Sequence, residues 1–338
     1  MQKIDAVFEG GGVKGIALVG AIAEIEKAGY EFECLAGTSA GAIVATLLAV
    51  GYTARELKTI IEKLPYHKMK DTSRIDRFWA FGQLMSIVFE YGIYEGRYFE
   101  IWLENLLKAQ GKTQFGDLKD ETQTDPKYQY KLQVIATDLT DRRLLVLPRD
   151  LADFGIEPEM FPISKAVRMS MSIPIFFEPV QLKDRKGNTH IIVDGGVLSN
   201  YPVWLLDDGT CNPPWPTFGF KLVEHDQRKL REPERNPIHN TWNYLNALAG
   251  TLLDAHDSYH ISMSKGDYDR TIGIPTTVNL YGSAKEIQGT NFDLKQEEQE
   301  LLYQNGVDAA QRFLKIWDFE AWKVKYRQTI SRSTEYQP

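Results

Sequence analysis

Between residues 4 and 51 the spacing of apolar and polar positions changes period repeatedly. IDAVFE (4 to 9) reads as a strand, GGGVKG (10 to 15) as a glycine turn, and IALVGAIAEIEKAG, with apolar positions at helical spacing, as a helix. A second strand, YEFECLA, meets a second small-residue turn, GTSAG, and then the run AGAIVATLLAVG at 40 to 51. That run is shorter than the roughly 20 residues needed to span a bilayer. It is apolar on every side, so it is expected to be a helix buried at the centre of the protein. Strands alternating with helices imply parallel βαβ units in a layered α/β sheet. TARE at 53 to 56 fits a capping box and opens a further helix through LKTIIEKL.

Residues 74 to 107 are crowded with aromatic and large aliphatic side chains. They read either as a pair of core helices or as a lid or lipid-facing surface. Strand patterns return at YKLQVIATDL, RLLVLP, HIIVDGG and TFGFKLV, and the proline-bearing stretches CNPPWP and REPERNP flank the last of these as surface connections. Beyond lie a helical pattern (TWNYLNALAGTLLDAHDSYH), a strand (TTVNLY) and two expected helices, DLKQEEQELLYQNG and VDAAQRFLKIWDF. The division expected is a catalytic core over 1 to 210 and a C-terminal extension over 211 to 338 packed on the same core.

Composition narrows the partners. With 39 Lys and Arg against 46 Asp and Glu the chain carries a net charge of −7, so it has no global attraction for nucleic acid. Cys34 and Cys211 are the two cysteines; they form no disulfide framework and no metal-spaced pair. The N-terminus lacks the apolar core and cleavage site of a signal peptide, so a reducing, cytoplasmic setting is expected. No constellation of metal ligands or cofactor contacts is evident, and none is expected.

The glycine turn has two functional readings. Gly10, Gly12 and Gly15 satisfy GxGxxG between a strand and a helix, the context of a dinucleotide fingerprint. That fold, however, ends its second strand in an acid about 20 residues on; here Glu31 and Glu33 come early and the strand runs into LAGTSAG. There Gly37, Ser39 and Gly41 form GxSxG at a strand-to-helix junction, where small neighbours allow a strained turn that exposes a serine hydroxyl at a helix N-terminus. The Gly10, Gly11, Gly12 turn would then lie beside Ser39 and let an ester carbonyl approach backbone N–H donors. Lys14 adds a positive charge at the same helix start, unless it is simply solvated.

A nucleophilic serine needs a base. Asp194 closes the apolar strand IIV and is followed by Gly195 and Gly196, and the C-terminal end of a strand is where parallel α/β sheets put function. In chain order, Ser39, Asp194 and one of His225, His239 or His256 form a formally acceptable triad. None of these histidines sits in a loop with a catalytic signature. His190 shares a strand face with Asp194, but four strand residues separate them by about 13 Å. HDSYH at 256 to 260 is similar to a zinc helix but lacks a third ligand nearby.

GGGVKG, GTSAG and DGG, in that order, resemble the patatin-like phospholipase family, and VRMSMSIPIFFEPV at 167 to 180 resembles the segment that precedes the family's aspartate strand. The resemblance covers about residues 4 to 205. It implies a three-layer α/β/α fold with a mostly parallel central sheet and a lipid or phospholipid substrate. It implies Ser39 as nucleophile, Asp194 as its only partner, and Gly10, Gly11 and Gly12 shaping an oxyanion hole. No histidine would be needed. Met169 and Met171 stand where the family usually has small residues, which bears on the shape of the acyl pocket. The expectation is therefore a lipid acyl hydrolase of phospholipase A type, cytoplasmic and in peripheral contact with membranes. The alternatives are a non-catalytic lipid-binding or effector module, which the intact Ser39 and Asp194 argue against, and a dinucleotide-binding oxidoreductase.

Overall fold

The computed structural model describes residues 2–64, 92–94, 96–207, 209–210, 212–223, 266–280, 282–289 and 294–327. The helix expected near 241 to 260 lies outside these residues, as do His225, His239, His256, His260, Cys211 and most of the aromatic-rich segment. The strands are β1 (Gln2–Phe8), β2 (Tyr30–Thr38), β3 (Gly92–Tyr94), β4 (Leu132–Asp138), β5 (Arg143–Leu147), β6 (Ile175–Phe177), β7 (Val180–Lys183), β8 (Thr189–Asp194), β9 (Thr217–Val223), β10 (Thr271–Pro275), β11 (Thr277–Leu280) and β12 (Ser283–Glu286). The helices are α1 (Gly15–Lys27), α2 (Ala40–Val50), α3 (Ala54–Glu62), α4 (Arg97–Ala109), α5 (Ile163–Ser170), α6 (Gln296–Ile316) and α7 (Phe319–Tyr326).

Five strands run parallel in the order β10, β9, β1, β2, β4. Side chains alternate across them. Ile4, Ala6 and Phe8 of β1, Leu35 of β2 and Val134 of β4 face the main core with α1, α2, α3, α5 and α6. Val7, Cys34, Ala36 and Ile135 face the other way and pack with Leu205 and Leu206. Both faces are covered, which is why these strands read as almost continuous apolar runs. Every residue of α2 is buried, as its unbroken apolar sequence requires. The Thr53 side chain accepts from Glu56 N–H while Glu56 reaches back to Thr53 N–H, so the capping box forms.

The other end of the sheet departs from the simple parallel expectation. β5 and β8 both run antiparallel to β4, and β7 is antiparallel to β8. Because β5 occupies one edge of β4 from Val134 to Asp138, β2 and β8 share the other edge: Thr38 of β2 pairs with Ile135, and Asp194 of β8 pairs with Ala136. β2 and β8 therefore run toward each other and meet end to end. Asp194 does close its strand, but on one that enters against the parallel direction. The turn of the β7–β8 hairpin, where the Asp184 carboxylate accepts from Lys186 and Asn188 N–H, reverses the chain.

The C-terminal region supplies β9 and β10 to the same sheet and α6 to the same core. Two helices were expected across residues 293 to 319; α6 is instead one helix of 21 residues that passes straight through Gly306. A Cβ on Gly306 would lie 2.0 Å from the Ala17 carbonyl oxygen, and one on Gly20 would lie 2.0 Å from that of Tyr303. α1 and α6 thus cross in backbone contact, and the glycine that resembles a helix stop is a packing requirement. Gly306→Ala sets about 1 kcal/mol of helix propensity against overpacking that costs about 1–3 kcal/mol. Thermal unfolding should show a net loss of stability; a gain would refute the close crossing.

Candidate active site

Ser39 stands between β2 and α2 with φ 52° and ψ −122°, a conformation that costs a non-glycine residue about 1–3 kcal/mol. Local contacts hold it there. Its N–H donates to Ser170 Oγ at 2.9 Å, and its carbonyl accepts from Ala42 and Ile43 N–H. A Cβ on Gly37 would come 2.4 Å from the Gly41 backbone, and one on Gly41 would come 2.3 Å from the Phe8 carbonyl oxygen. The two glycines of GxSxG are therefore needed because strand, elbow and helix touch through their backbones.

Across the junction on β4, Asp194 is fully buried. Its Oδ1 accepts from Gly196 N–H at 2.8 Å, and its own N–H donates to the Ser172 carbonyl at 2.9 Å. Gly195 lets the chain turn tightly past β4, since a Cβ there would meet the Ile135 carbonyl oxygen at 2.5 Å. Oδ2 is buried without a hydrogen bond of standard geometry. Burial pushes the carboxyl up from its ordinary 3.8 to about 7, against smaller lowering effects from Gly196 N–H and the Ser39 hydroxyl. A carboxyl so placed is a far better proton acceptor than an exposed one.

The glycine turn lies beside Ser39: a Cβ on Gly10 would be 3.1 Å from that of Ser39. Its three amides differ. Gly10 N–H donates to the Asn200 carbonyl, and Asn200 Nδ2 donates back to the Gly10 carbonyl, each at 3.1 Å. Gly10 therefore contributes shape rather than a free donor. Gly11 and Gly12 N–H make no hydrogen bond to a described residue, and Gly12 shares a cleft with Ser39. Ala40 N–H, the first amide of α2, is also left without a helical partner. Gly15 opens α1 against Ala40. Lys14 is half-buried just before α1 and forms no ion pair with a described residue.

The cleft is narrow and partly open to solvent, and its walls include Ile43, Val44, Ile61, Leu64, Met171 and Phe177. Met171 thus shapes the cleft, whereas Met169 is buried in the main core. His190 is on β8 but in a separate cluster. Its Nδ1 bonds Asp138 Oδ2 at 2.8 Å, and Asp141 and Asp184 lie at 3.7 Å. Burial lowers its pKa, but the Asp138 bond and the surrounding carboxylates outweigh that and raise it. Arg143 Nε lies 3.9 Å from Asp138 on the same cluster, and Arg143 also pairs with Asp153. Ser170 and Asn200 were not singled out from sequence, and both act across more than a hundred residues of chain.

The family described as patatin-like phospholipase matches residues 6–207, and the chain belongs to it. It is 39% identical over 316 residues to the uncharacterised protein YqhO of Bacillus subtilis (strain 168), covering 94% of this chain and 99% of YqhO. It is 27% identical over 211 residues to the cGAMP-activated phospholipase of Escherichia coli (strain TW11681), covering 59% of this chain and 53% of that one. Among solved structures, VipD from Legionella pneumophila aligns with a TM-score of 0.51 at 20% identity, over 93% of this chain and 67% of VipD. The fold is the patatin fold, and membership supports lipid hydrolase activity on a lipid substrate. The dinucleotide reading gives way to it: the turn that would cradle a pyrophosphate is packed against Asn200 and faces an apolar cleft.

Because Asp194 holds its proton more tightly folded than unfolded, its contribution to stability is greatest at low pH and is lost as pH rises from about 4 to about 7. Asp194→Asn removes that titration. The variant should unfold at a higher temperature than the wild type at pH 8, with the gap narrowing toward pH 4. A gap that does not change with pH would count against a buried, raised carboxyl.

Proposed function

We propose that the chain is a phospholipase A-type lipid acyl hydrolase working through a Ser39–Asp194 dyad. The observation that carries this reading is the end-to-end meeting of β2 and β8, which puts a strained serine beside a buried carboxyl at the mouth of an apolar cleft. Asp194 takes the hydroxyl proton as Ser39 Oγ attacks the ester carbonyl carbon. The carbonyl oxygen becomes an oxyanion, held by the Gly11, Gly12 and Ala40 amides. Collapse of the tetrahedral intermediate breaks the bond to the alcohol, which leaves with the proton from Asp194, and the acyl group stays on Ser39.

Water then gives a proton to Asp194 and attacks the acyl carbon; the second intermediate releases the fatty acid as Ser39 regains its proton. Acyl carbons fit the walls formed by Ile43, Val44, Met171 and Phe177, while the head group stays outside. Such a substrate comes from a membrane surface, so the contact is peripheral. Among the described residues no helix is long and apolar enough to cross a membrane. The name of the E. coli relative, a phospholipase, fits the same substrate class.

Labelling with a fluorophosphonate followed by peptide mapping should place the adduct on Ser39. Ser39→Ala should lose both the adduct and, by several orders of magnitude, fatty-acid release from phosphatidylcholine vesicles, while its unfolding temperature stays near that of the wild type because only the hydroxyl oxygen is removed. An adduct on another serine would overturn the assignment.

A further inference from the structure

Asn200 holds Gly10 from within the family match, but the residues packed against Gly11, Gly12 and Val13 come from outside it. Val13 N–H donates to the Gly289 carbonyl at 3.0 Å. The contact is reciprocal in space: a Cβ on Gly12 would lie 2.0 Å from the Gly289 carbonyl oxygen, and one on Gly289 would lie 2.8 Å from the Gly11 carbonyl oxygen. β9 closes a second side, with Leu222 Cδ1 2.1 Å from where a Gly11 Cβ would stand and Leu222 N–H donating to the Glu9 carboxylate. Glu9 is held in turn by Lys221 at 2.7 Å.

We infer that Gly289 is a positioning residue for the oxyanion donor, so that the C-terminal region completes the catalytic site. The inference rests on the hydrolase reading above. The Gly11 carbonyl and the Gly12 N–H belong to one planar, trans peptide, so they point in opposite directions. Gly289 presses on the carbonyl side, and Lys14 N–H bonds that same oxygen at 3.1 Å. The Gly12 N–H is thereby turned away from Gly289, and Gly12 itself lines the cleft with Ser39. Gly289 has no positive φ, so alanine fits its backbone conformation. The added methyl would instead push the Gly11 carbonyl and rotate the donor.

The test compares wild type, Gly289→Ala and, as a neighbouring exposed control, Gln288→Ala on a short soluble ester. A trifluoromethyl ketone, which adds to the serine as a tetrahedral oxyanion, and the matching non-reactive alkyl ether measure transition-state and ground-state binding. Gly289→Ala should lower kcat by about a hundredfold, the effect of losing one such donor, with KM nearly unchanged. Its ketone affinity should fall in proportion while ether affinity and the Gln288→Ala control stay at wild-type values. Equal loss of ketone and ether affinity, or wild-type kcat, would overturn the role of Gly289.

Wild-type protein gives a second reading that does not depend on the variant folding. Residue-resolved amide exchange should show Val13 slow, and Gly12 fast in the free protein but slowed in the ketone adduct. Fast exchange at Val13 would overturn the clamp. If wild type neither hydrolyses the ester nor forms the ketone adduct, the hydrolase reading falls with it; wild-type activity with an unaffected Gly289→Ala sinks this inference alone.

Discussion

One edge of β4 is shared by two strands that approach from opposite directions, and the site is built on that junction. Thr38 and Asp194 pair with consecutive residues, Ile135 and Ala136, so the residue after β2 and the residue ending β8 are neighbours by register. Backbone hydrogen bonds on both sides of the gap fix their separation before any side chain is considered. A carboxyl delivered on a parallel strand's far end would need a long loop to reach Ser39. Here a hairpin and a register do the work, and the carboxyl arrives already buried.

The remaining parts of the site are close approaches through glycine. Gly37 and Gly41 let β2, the elbow and α2 touch, Gly195 lets the Asp194 loop pass β4, and the glycine turn is packed against Asn200, Leu222 and Gly289. Each contact fixes the backbone around Ser39 and Asp194. The same burial that raises the Asp194 pKa makes the folded state less stable above about pH 7 than it would be with a neutral residue there. Strain at Ser39 and a costly carboxyl at Asp194 are both borne by the large apolar core around α1, α2 and α6.

Much of this was legible in the sequence where the signal is local. The βαβ start shows in its changing period, the buried α2 in its lack of polar positions, and the three motifs in their spacing. Direction was less legible: HIIVDGG reads as a strand, but its sense is set by the preceding hairpin, whose turn signal in KDRKGN points to an antiparallel partner. Gly306 misled because a helix stop and a close helix crossing need the same residue. Asn200, Ser170 and Gly289 were invisible since their contacts join residues far apart in the chain, and no local pattern marks them. The histidine question was partly resolved by space, with His190 bonded to Asp138 rather than aimed at Ser39.

The central claim is that a carboxylate, without a histidine, takes the serine proton. Single-turnover acylation by a short soluble ester at pH 8 tests it most directly in Asp194→Asn and in His190, His225, His239, His256 and His260, each changed singly to Gln. The account predicts an acylation rate several orders of magnitude lower in Asp194→Asn, and rates close to wild type in all five histidine variants. A folded histidine variant that loses as much as Asp194→Asn would contradict it and require a triad.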